Sequence, residues 1–223
     1  MNYEHFLLTR FNLPLRFGCD LRDPDYNPAE KILDDDYLDK RFDIFENFTL
    51  KSVKEQTDQD FKWIVLFHKR TPAKYLKKIQ ELKEIYYFED LYFDEKDTFT
   101  FSNYCIENNL DADFYITSRI DNDDMIDKDY MKLVHDYLDG NLHKCFISFV
   151  NGAKLDLKSN KLFDYSWDSN HFITYVDSNY EKSVYNHIHS QITKGDVEII
   201  SVKTDVPMWT EIIHETNVYN RIT

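Results

Sequence analysis

The sequence is poor in glycine, with only Gly18, Gly140, Gly152 and Gly195 in 223 residues. No two of them are close enough to form the glycine-rich turn of a dinucleotide-binding fold or the phosphate-binding loop of a P-loop protein. The sequence therefore argues against both of these classes of nucleotide-binding protein. If a nucleotide binds to this chain, another group must neutralise its phosphates.

Cysteine is also scarce. Cys19, Cys105 and Cys145 are far apart, odd in number and without the spacing of a zinc site. This pattern indicates neither a disulfide framework nor a zinc centre, and it favours a reducing compartment. No run approaches the roughly 18 apolar residues of a transmembrane helix, and residues 1–10 lack the regions of a signal peptide. We therefore expect a cytoplasmic protein with no transmembrane segment.

Basic residues are outnumbered, because 27 Lys and Arg stand against 41 Asp and Glu and give a formal net charge of −14. A chain this acidic repels nucleic-acid phosphates and anionic lipids, so neither is an expected partner. The sequence is nevertheless 42% hydrophobic and 16% aromatic, which is too apolar for a disordered chain. We expect a globular protein with one domain over residues 1–223.

Apolar patterns in the first 120 residues alternate between strand and helix. They predict strands over 5–9, 61–67, 85–93 and 113–118, and helices over 38–56, 71–82 and 98–109. Thr71 followed by Pro72 is typical of a helix start, with threonine as the cap. Alternation in this order predicts an α/β fold with three layers, in which a mostly parallel sheet has helices on both faces.

The second half of the chain has shorter and less regular patterns. They predict a helix over 127–138 that Gly140 ends, and strands over 145–150, 153–157, 161–164, 172–176 and 197–202. Pro207 follows the last of these strands, and a proline in that position favours an exposed segment over further sheet. We therefore expect a smaller, mixed β/α second half with an exposed tail.

The acidic sequence Asp121-Asn122-Asp123-Asp124 directly follows a predicted strand. Three carboxylates within four residues repel one another, so they are tolerated where a cation, a ligand or water neutralises them. A solvated loop is one interpretation. The other is a site in which Asp121 and Asp123 bind Mg²⁺ or Mn²⁺ together with substrate phosphates. A metal of this kind would replace the missing glycine-rich loop.

Four ordered blocks of the sequence form a further pattern. They are Thr9-Arg10-Phe11-Asn12, the block from Arg41 to Phe67, Ser118-Arg119-Ile120-Asp121-Asn122-Asp123-Asp124, and the ending Pro207-Met208-Trp209 with His214 and Asn217. Together they resemble the bacterial putative rhamnosyltransferase family. That family is grouped with glycosyltransferases of the GT-A fold, a Rossmann-like sheet whose DxD motif binds a divalent metal and the diphosphate of a nucleotide-sugar.

The resemblance implies a metal-dependent glycosyltransferase with a GT-A-like α/β/α sandwich and Mn²⁺ or Mg²⁺ as its cofactor. Residues 1–124 would bind the nucleotide-sugar donor, with dTDP-rhamnose as the candidate, and residues 125–223 would form the side that receives a glycan or other hydroxyl acceptor. The alternative hypothesis is a non-catalytic sugar- or metal-binding module on the same scaffold. It stays open because no acid in the second half stands out as the base that takes the acceptor proton.

These patterns supply candidate site residues, each of which has a structural alternative. The candidates are Arg10, Asn12, Arg119, Asn122 and Trp209 for substrate binding, Asp121, Asp123 and His214 for the metal, and Asp124 and His189 for catalysis. Arg10 would contact the diphosphate or nucleotide, or else form a structural ion pair. Arg119 would contact a ligand, or else hold the acidic loop in shape. Trp209 would stack on a sugar ring or else pack in the core. His214 would bind the metal or the diphosphate, or else face solvent.

Overall fold

The structure is a computed structural model that describes residues 2–13, 31–94, 99–138, 140, 142–187, 192, 195–215 and 217. Its elements in chain order are β1 (Tyr3–Arg10), α1 (Asp35–Ile44), a π-helical segment (Phe45–Thr49), α2 (Leu50–Lys54), β2 (Lys62–His68), α3 (Ala73–Ile85), β3 (Glu89–Phe93), α4 (Phe101–Glu107), β4 (Phe114–Arg119), β5 (Met125–Ile126), α5 (Tyr130–Leu138), β6 (Cys145–Phe149), β7 (Asn151–Asp156), β8 (Lys161–Ser166), β9 (Thr174–Asp177), a 3₁₀ turn (Val184–Asn186), β10 (Glu198–Val202) and β11 (Trp209–Ile213). None of the described helices is long and apolar enough to span a bilayer.

Seven strands form the main sheet in the order β10-β6-β9-β4-β1-β2-β3. Every pair is parallel except the two made by β9, which runs antiparallel to β4 and to β6. The prediction of a mostly parallel sheet is therefore confirmed. Because β1, β2 and β4 run in the same direction, their carboxyl ends lie along one edge, which is where ligands of open α/β sheets bind.

Helices cover both faces of this sheet, as the continuous apolar strands predict. Leu7 and Val65 belong to a core cluster that also contains Leu38 and Phe42 of α1 and the buried apolar residues of α2, α3 and α5. Leu8 and Ile64, which point to the opposite face, belong to a second cluster that contains the buried residues of α4. Since successive residues of a strand face opposite sides, two separate cores are the direct result of strands with a continuous apolar stretch, such as 63–67 in β2.

Among the boundaries that differ from the prediction, two lie at the ends of α3. Pro72 rather than Thr71 occupies the cap position of α3, because the Thr71 hydroxyl donates instead to the carbonyl of His68 at 2.6 Å. Ile85 is the last residue of α3 and not the start of a strand, so the predicted strand over 85–93 is reduced to β3. Ile85 is also 43% exposed, which shows that apolar character alone did not decide the secondary structure here.

The second sheet has four strands in the order β5-β11-β7-β8. β7 and β8 pair antiparallel as a hairpin, whereas β11 pairs in parallel with β7 and antiparallel with β5. The expectation of an exposed tail after Pro207 is wrong, because the tail supplies β11. Pro207 stands two residues before this strand, where its missing N–H removes no hydrogen bond from the ladder.

Trp209, the first residue of β11, is fully buried. Its ring stacks on that of Phe172 with centroids 5.0 Å apart and an angle of 16° between the planes. Its Nε1 donates to the carbonyl of Phe149 at 2.7 Å. The structural alternative therefore holds for Trp209, which packs in the core and presents no ring face to a sugar.

Candidate functional site

The acidic sequence 121–124 lies at the carboxyl edge of the main sheet, directly after β4. The end of β1 lies beside it, since Ile120 donates its backbone N–H to the carbonyl of Leu8 at 3.2 Å. The second sheet reaches the same loop through β11, where the backbone N–H of Ile212 donates to Asp124 Oδ1 at 3.0 Å. Both sheets therefore meet at this acidic loop.

Asp121, Asp124 and His171 each offer one oxygen or nitrogen atom, and these three atoms lie within 4.8 Å of one another. Asp121 is partly exposed, Asp124 is 1% exposed, and His171 lies in the segment before β9. Two carboxylates and an imidazole are suitable ligands for Mn²⁺, and the carboxylates suit Mg²⁺ as well. We call these three residues the Asp-Asp-His cluster.

Sequence reasoning found Asp121 and Asp124 but missed His171 as a member of this cluster. His171 is 47 residues from Asp124 in the sequence, and no motif spacing links the two. The one available signal was its position immediately before the apolar run 172–176. Only the pairing of β9 with β4 brings that segment to the acidic loop.

The charges within the cluster influence one another strongly. Burial, and secondly the neighbouring Asp123 carboxylate, raise the pKa of Asp124 to about 7. His171 Nε2 lies 3.0 Å from Asp124 Oδ2. Burial alone would lower the pKa of His171, but this contact with Asp124 outweighs burial and raises it. The Asp124 carboxylate and the His171 imidazole thus lie close enough to share a proton. A divalent cation can replace that proton and stabilise the negative charge of the carboxylate.

Asp123 lies in a different environment from the cluster. Its carboxylate forms a buried ion pair with Arg41, and its Oδ2 also lies 2.9 Å from His214 Nε2 and 3.2 Å from Asn217 Nδ2. Burial raises the pKa of Asp123, but Arg41 and His214 outweigh this and hold it below its usual value. Asp123 is thus already neutralised by the protein itself.

The tail therefore reaches the acidic loop, and it does so through Asp123. The geometry favours Asp124 and His171 over Asp123 and His214 as the partners of Asp121, because a cation at Asp123 would have to displace the guanidinium of Arg41. Metal binding by Asp123 and His214 stays a prediction from sequence.

Arg10 and Arg119 end the neighbouring strands β1 and β4 at the same edge. The guanidinium carbon of Arg10 lies 4.9 Å from the ring centroid of Tyr185, and its buried Nε has no hydrogen-bond partner among the described residues. Arg119 Nε donates to the carbonyl of His171. Burial lowers the pKa of Arg119, although attraction to Asp121 opposes this. Arg119 therefore holds the segment that carries His171, while Arg10 keeps an unused donor.

The two asparagines predicted to bind substrate are both buried and bonded within the protein. Asn12 accepts from the backbone N–H of His68 at 3.0 Å and donates to Thr71 Oγ1 at 3.1 Å. Asn122 accepts from Arg41 at 3.0 Å and donates to the carbonyl of Phe11. These contacts shape the loops at the carboxyl edge. His189 lies outside the residues that the structure describes.

Comparison with known proteins decides the family. A family model described as putative rhamnosyl transferase matches residues 4–223. The chain belongs to the putative rhamnosyl transferase family. This membership confirms the resemblance seen in the four sequence blocks. Among curated proteins no significant match is found.

Solved structures of other proteins have a fold similar to that of this chain. The crystal structure of S. aureus TarS 1-349 in complex with UDP-GlcNAc is similar with a TM-score of 0.54 and 9% identity, over 96% of this chain and 60% of that one. The complex of TarS 1-349 with UDP gives a TM-score of 0.50 and 9% identity, over 96% and 61%. The chain thus spans about 60% of the length of these TarS chains. At such identities the likeness shows the fold, which is of the GT-A type.

Proposed function

We propose that this member of the rhamnosyl transferase family is a metal-dependent enzyme that transfers a sugar from a nucleotide-sugar donor to a hydroxyl acceptor. Rhamnose is the candidate sugar and a glycan the candidate acceptor, both from the family to which the chain belongs. The observation that carries the proposal is the Asp-Asp-His cluster, which lies at the carboxyl edge of the parallel sheet beside two arginines.

The residues of the cluster fit a divalent ion. Asp121, Asp124 and His171 would hold Mn²⁺ or Mg²⁺, and the partly exposed Asp121 leaves the site accessible from solvent. When bound, such an ion supplies positive charge that stabilises the diphosphate leaving group as its bond to the sugar breaks. It also supplies the phosphate-binding function that the glycine-poor sequence lacks.

The arginines extend this positive charge across the edge of the sheet. The Arg10 side chain is held against Tyr185 at this edge, and its terminal guanidinium nitrogens would donate hydrogen bonds to a phosphate oxygen. Arg119 fixes the backbone at His171 and thereby fixes one wall of the site. Positive groups positioned before the reaction need no reorganisation when charge develops on the leaving group.

Asp124 has a role in the cluster and not as the base that deprotonates the acceptor. It is 1% exposed, and its two oxygens already face Ile212 N and His171 Nε2. An acceptor hydroxyl cannot reach a carboxylate enclosed in this way. His189 stays the sequence-based candidate for the base.

Two measurements test the proposal. Titration calorimetry with Mn²⁺ followed by UDP should show coupled binding in the parent and its loss in Asp121→Asn. Asp136→Asn is a matched control, because it removes the same charge from an exposed i,i+4 pair with Lys132, and it should bind like the parent. Metal-independent UDP binding that survives Asp121→Asn would contradict the proposed metal site.

The second measurement asks whether the protein is an active transferase. Hydrolysis of UDP-GlcNAc and of dTDP-rhamnose should be measured with Mn²⁺ and with excess EDTA. We expect metal-dependent hydrolysis of one donor above the other. Coupled binding of metal and nucleotide without turnover of any donor or acceptor would instead support the non-catalytic module.

A further inference from the structure

A third carboxylate lies behind the Asp-Asp-His cluster. His171 Nε2 faces Asp124, whereas the other ring nitrogen, Nδ1, lies 3.7 Å from Glu211 Oε1. Glu211 is on β11 and is 3% exposed. The imidazole is therefore placed between one carboxylate on the acidic loop and another on the second sheet.

We propose that Glu211 is a positioning residue that keeps the proton of His171 on Nδ1, so that Nε2 presents a lone pair to the metal. The inference rests on the proposed function, because it requires a metal at Asp121, Asp124 and His171.

The chemistry of imidazole supplies the first argument. A neutral ring carries one proton, and the nitrogen that binds a metal must be the one without it. An ionised carboxylate only accepts hydrogen bonds, so Glu211 favours the tautomer in which Nδ1 holds the proton. Histidine ligands in metalloproteins almost always donate their second N–H to such an acceptor. Closing the 3.7 Å separation by about 0.8 Å would reach ordinary hydrogen-bond length.

The environment of Glu211 supplies the second argument. Its neighbours along β11 include the fully buried Trp209 and Ile212, so a carboxylate here is costly unless it is paired. Lys154 Nζ lies 3.4 Å from Glu211 Oε2, but this oxygen accepts no hydrogen bond from the described residues. Lys154 offsets the charge without directing Oε1, which is left to face His171.

The decisive experiment measures Mn²⁺ affinity by calorimetry at one fixed pH. Glu211→Met should weaken Mn²⁺ binding roughly 10–100-fold, the usual effect of removing a carboxylate behind a histidine ligand. Glu211→Gln keeps a carbonyl oxygen that can accept from Nδ1 and should recover part of that loss. Glu198→Gln is the matched control, since it disrupts the exposed His143–Glu198 pair, whose Nε2 and Oε2 lie 3.0 Å apart. It should bind Mn²⁺ like the parent.

A double variant separates positioning from simple charge. Removing Glu211 leaves the ammonium of Lys154 near the metal, and that charge alone would weaken binding. In Lys154→Met/Glu211→Met both charges are gone, and affinity should stay as low as in Glu211→Met. Affinity restored to the parental value in the double variant would overturn the inference.

Nitrogen NMR of His171 provides a readout that a merely structural role would not change. In the parent loaded with Zn²⁺, a diamagnetic probe, the ring proton should be found on Nδ1. A proton on Nε2 of His171 in the Zn²⁺-loaded parent would overturn the inference. In metal-loaded Glu211→Met, the Nδ1–H signal should exchange faster with water because its acceptor is missing, and an unchanged exchange rate would count against the role of Glu211.

The failure of this inference is distinguishable from failure of the proposed function. If the parent binds Mn²⁺ and Asp121→Asn does not, while both Glu211 variants bind like the parent, only the role of Glu211 is wrong. If the parent binds no Mn²⁺, or if Asp121→Asn binds it equally well, the metal site and this inference are both overturned.

Discussion

His214 Nε2 lies 2.9 Å from Asp123 Oδ2, and this contact joins the C-terminal tail to the loop after β4. Arg41, from α1, forms an ion pair with the same carboxylate. One acidic residue thus holds three separate parts of the chain, while Asp121, two residues earlier, is left partly exposed. Adjacent acids of one motif have separate roles in this protein.

Asp123→Asn should destabilise the fold. Its side chain and that of Arg41 are only 10% and 7% exposed, and removing one partner of a buried ion pair costs about 3–5 kcal/mol. Urea unfolding should show this loss. Glu215→Gln, which disrupts an exposed pair with Lys40, should change stability by less than about 1 kcal/mol. Equal stability of Asp123→Asn and the parent would show that the ion pair is not structural.

His214→Ala tests whether the tail histidine is a metal ligand. Because His214 Nε2 lies against Asp123, and His214 is not one of the three residues of the Asp-Asp-His cluster, we expect Mn²⁺ affinity within about threefold of the parent, a change of under 1 kcal/mol. Donor turnover should fall, since the tail packs against the loop that carries the cluster. Glu215→Ala is the control and should keep parental turnover. A large loss of Mn²⁺ affinity in His214→Ala would restore His214 as a ligand.

Gly152→Ala should disrupt the second sheet. A Cβ at Gly152 would lie 2.2 Å from Cδ2 of Trp209, which is too close for any real contact. Trp209 is fixed by its stack on Phe172, so we expect a loss of about 1–3 kcal/mol or more from overpacking. At Gly195 the nearest atom to an added Cβ is a carbonyl oxygen 3.7 Å away, so Gly195→Ala is the matched control. Thermal unfolding of the two variants should differ clearly.

His5 should contribute a loss of stability as pH decreases below about 6.5, opposite in sign to the contribution of Asp124, whose pKa is raised to about 7. Burial, and secondly the nearby His135, hold the pKa of His5 well below its usual value. The unfolded chain therefore binds a proton at His5 that the folded chain does not, so unfolding becomes easier as pH decreases from 6.5 toward this lowered pKa. One proton corresponds to a slope of at most about 1.4 kcal/mol per pH unit.

The contacts of His5 explain why its proton is excluded and suggest the variant to use. Its Nδ1 lies 2.8 Å from His135 Nε2 and its Nε2 lies 2.9 Å from Ser118 Oγ, while Asp58 engages the far side of His135 at 2.8 Å. Gln cannot titrate, so in His5→Gln the unfolding free energy should fall less, or rise more, than in the parent as pH decreases from 7 to 5. His143→Gln, at an exposed histidine, should leave this pH dependence nearly parental. The same slope in His5→Gln as in the parent would refute the prediction.

The strands of the main sheet could be predicted because the rule that governs them is local. The run 63–67 is apolar at every position, and burial on both faces follows from that composition alone. The helix over 38–56 was also predictable from its apolar spacing, but the π-helical segment Phe45–Thr49 within it was not. Helical spacing does not distinguish one turn type from another when both bury the same side chains.

The candidate site was predictable only in part, for a related reason. Asp121 and Asp124 are neighbours in sequence, so their shared charge is visible there. His171 and Glu211 join them through the pairing of β9 with β4 and of β11 with β7, which no short motif records. The wrong prediction of an exposed tail after Pro207 has the same cause. Whether the residues after this proline form a strand depends on the partner strands β5 and β7, which are distant in the sequence.

The position of β9 inside the main sheet, between strands that precede it in the sequence, limits how the chain can fold as it is synthesised. β9 spans residues 174–177, yet it lies between β4 and β6 and bonds to both. Until residue 177 has left the ribosome, β4 therefore has an unpaired edge, and β6 and β10 have no place to attach. A chain that stops near residue 124 would expose that edge to other chains and aggregate. The two halves that the sequence suggests are thus not separable: the first cannot complete its sheet without the second.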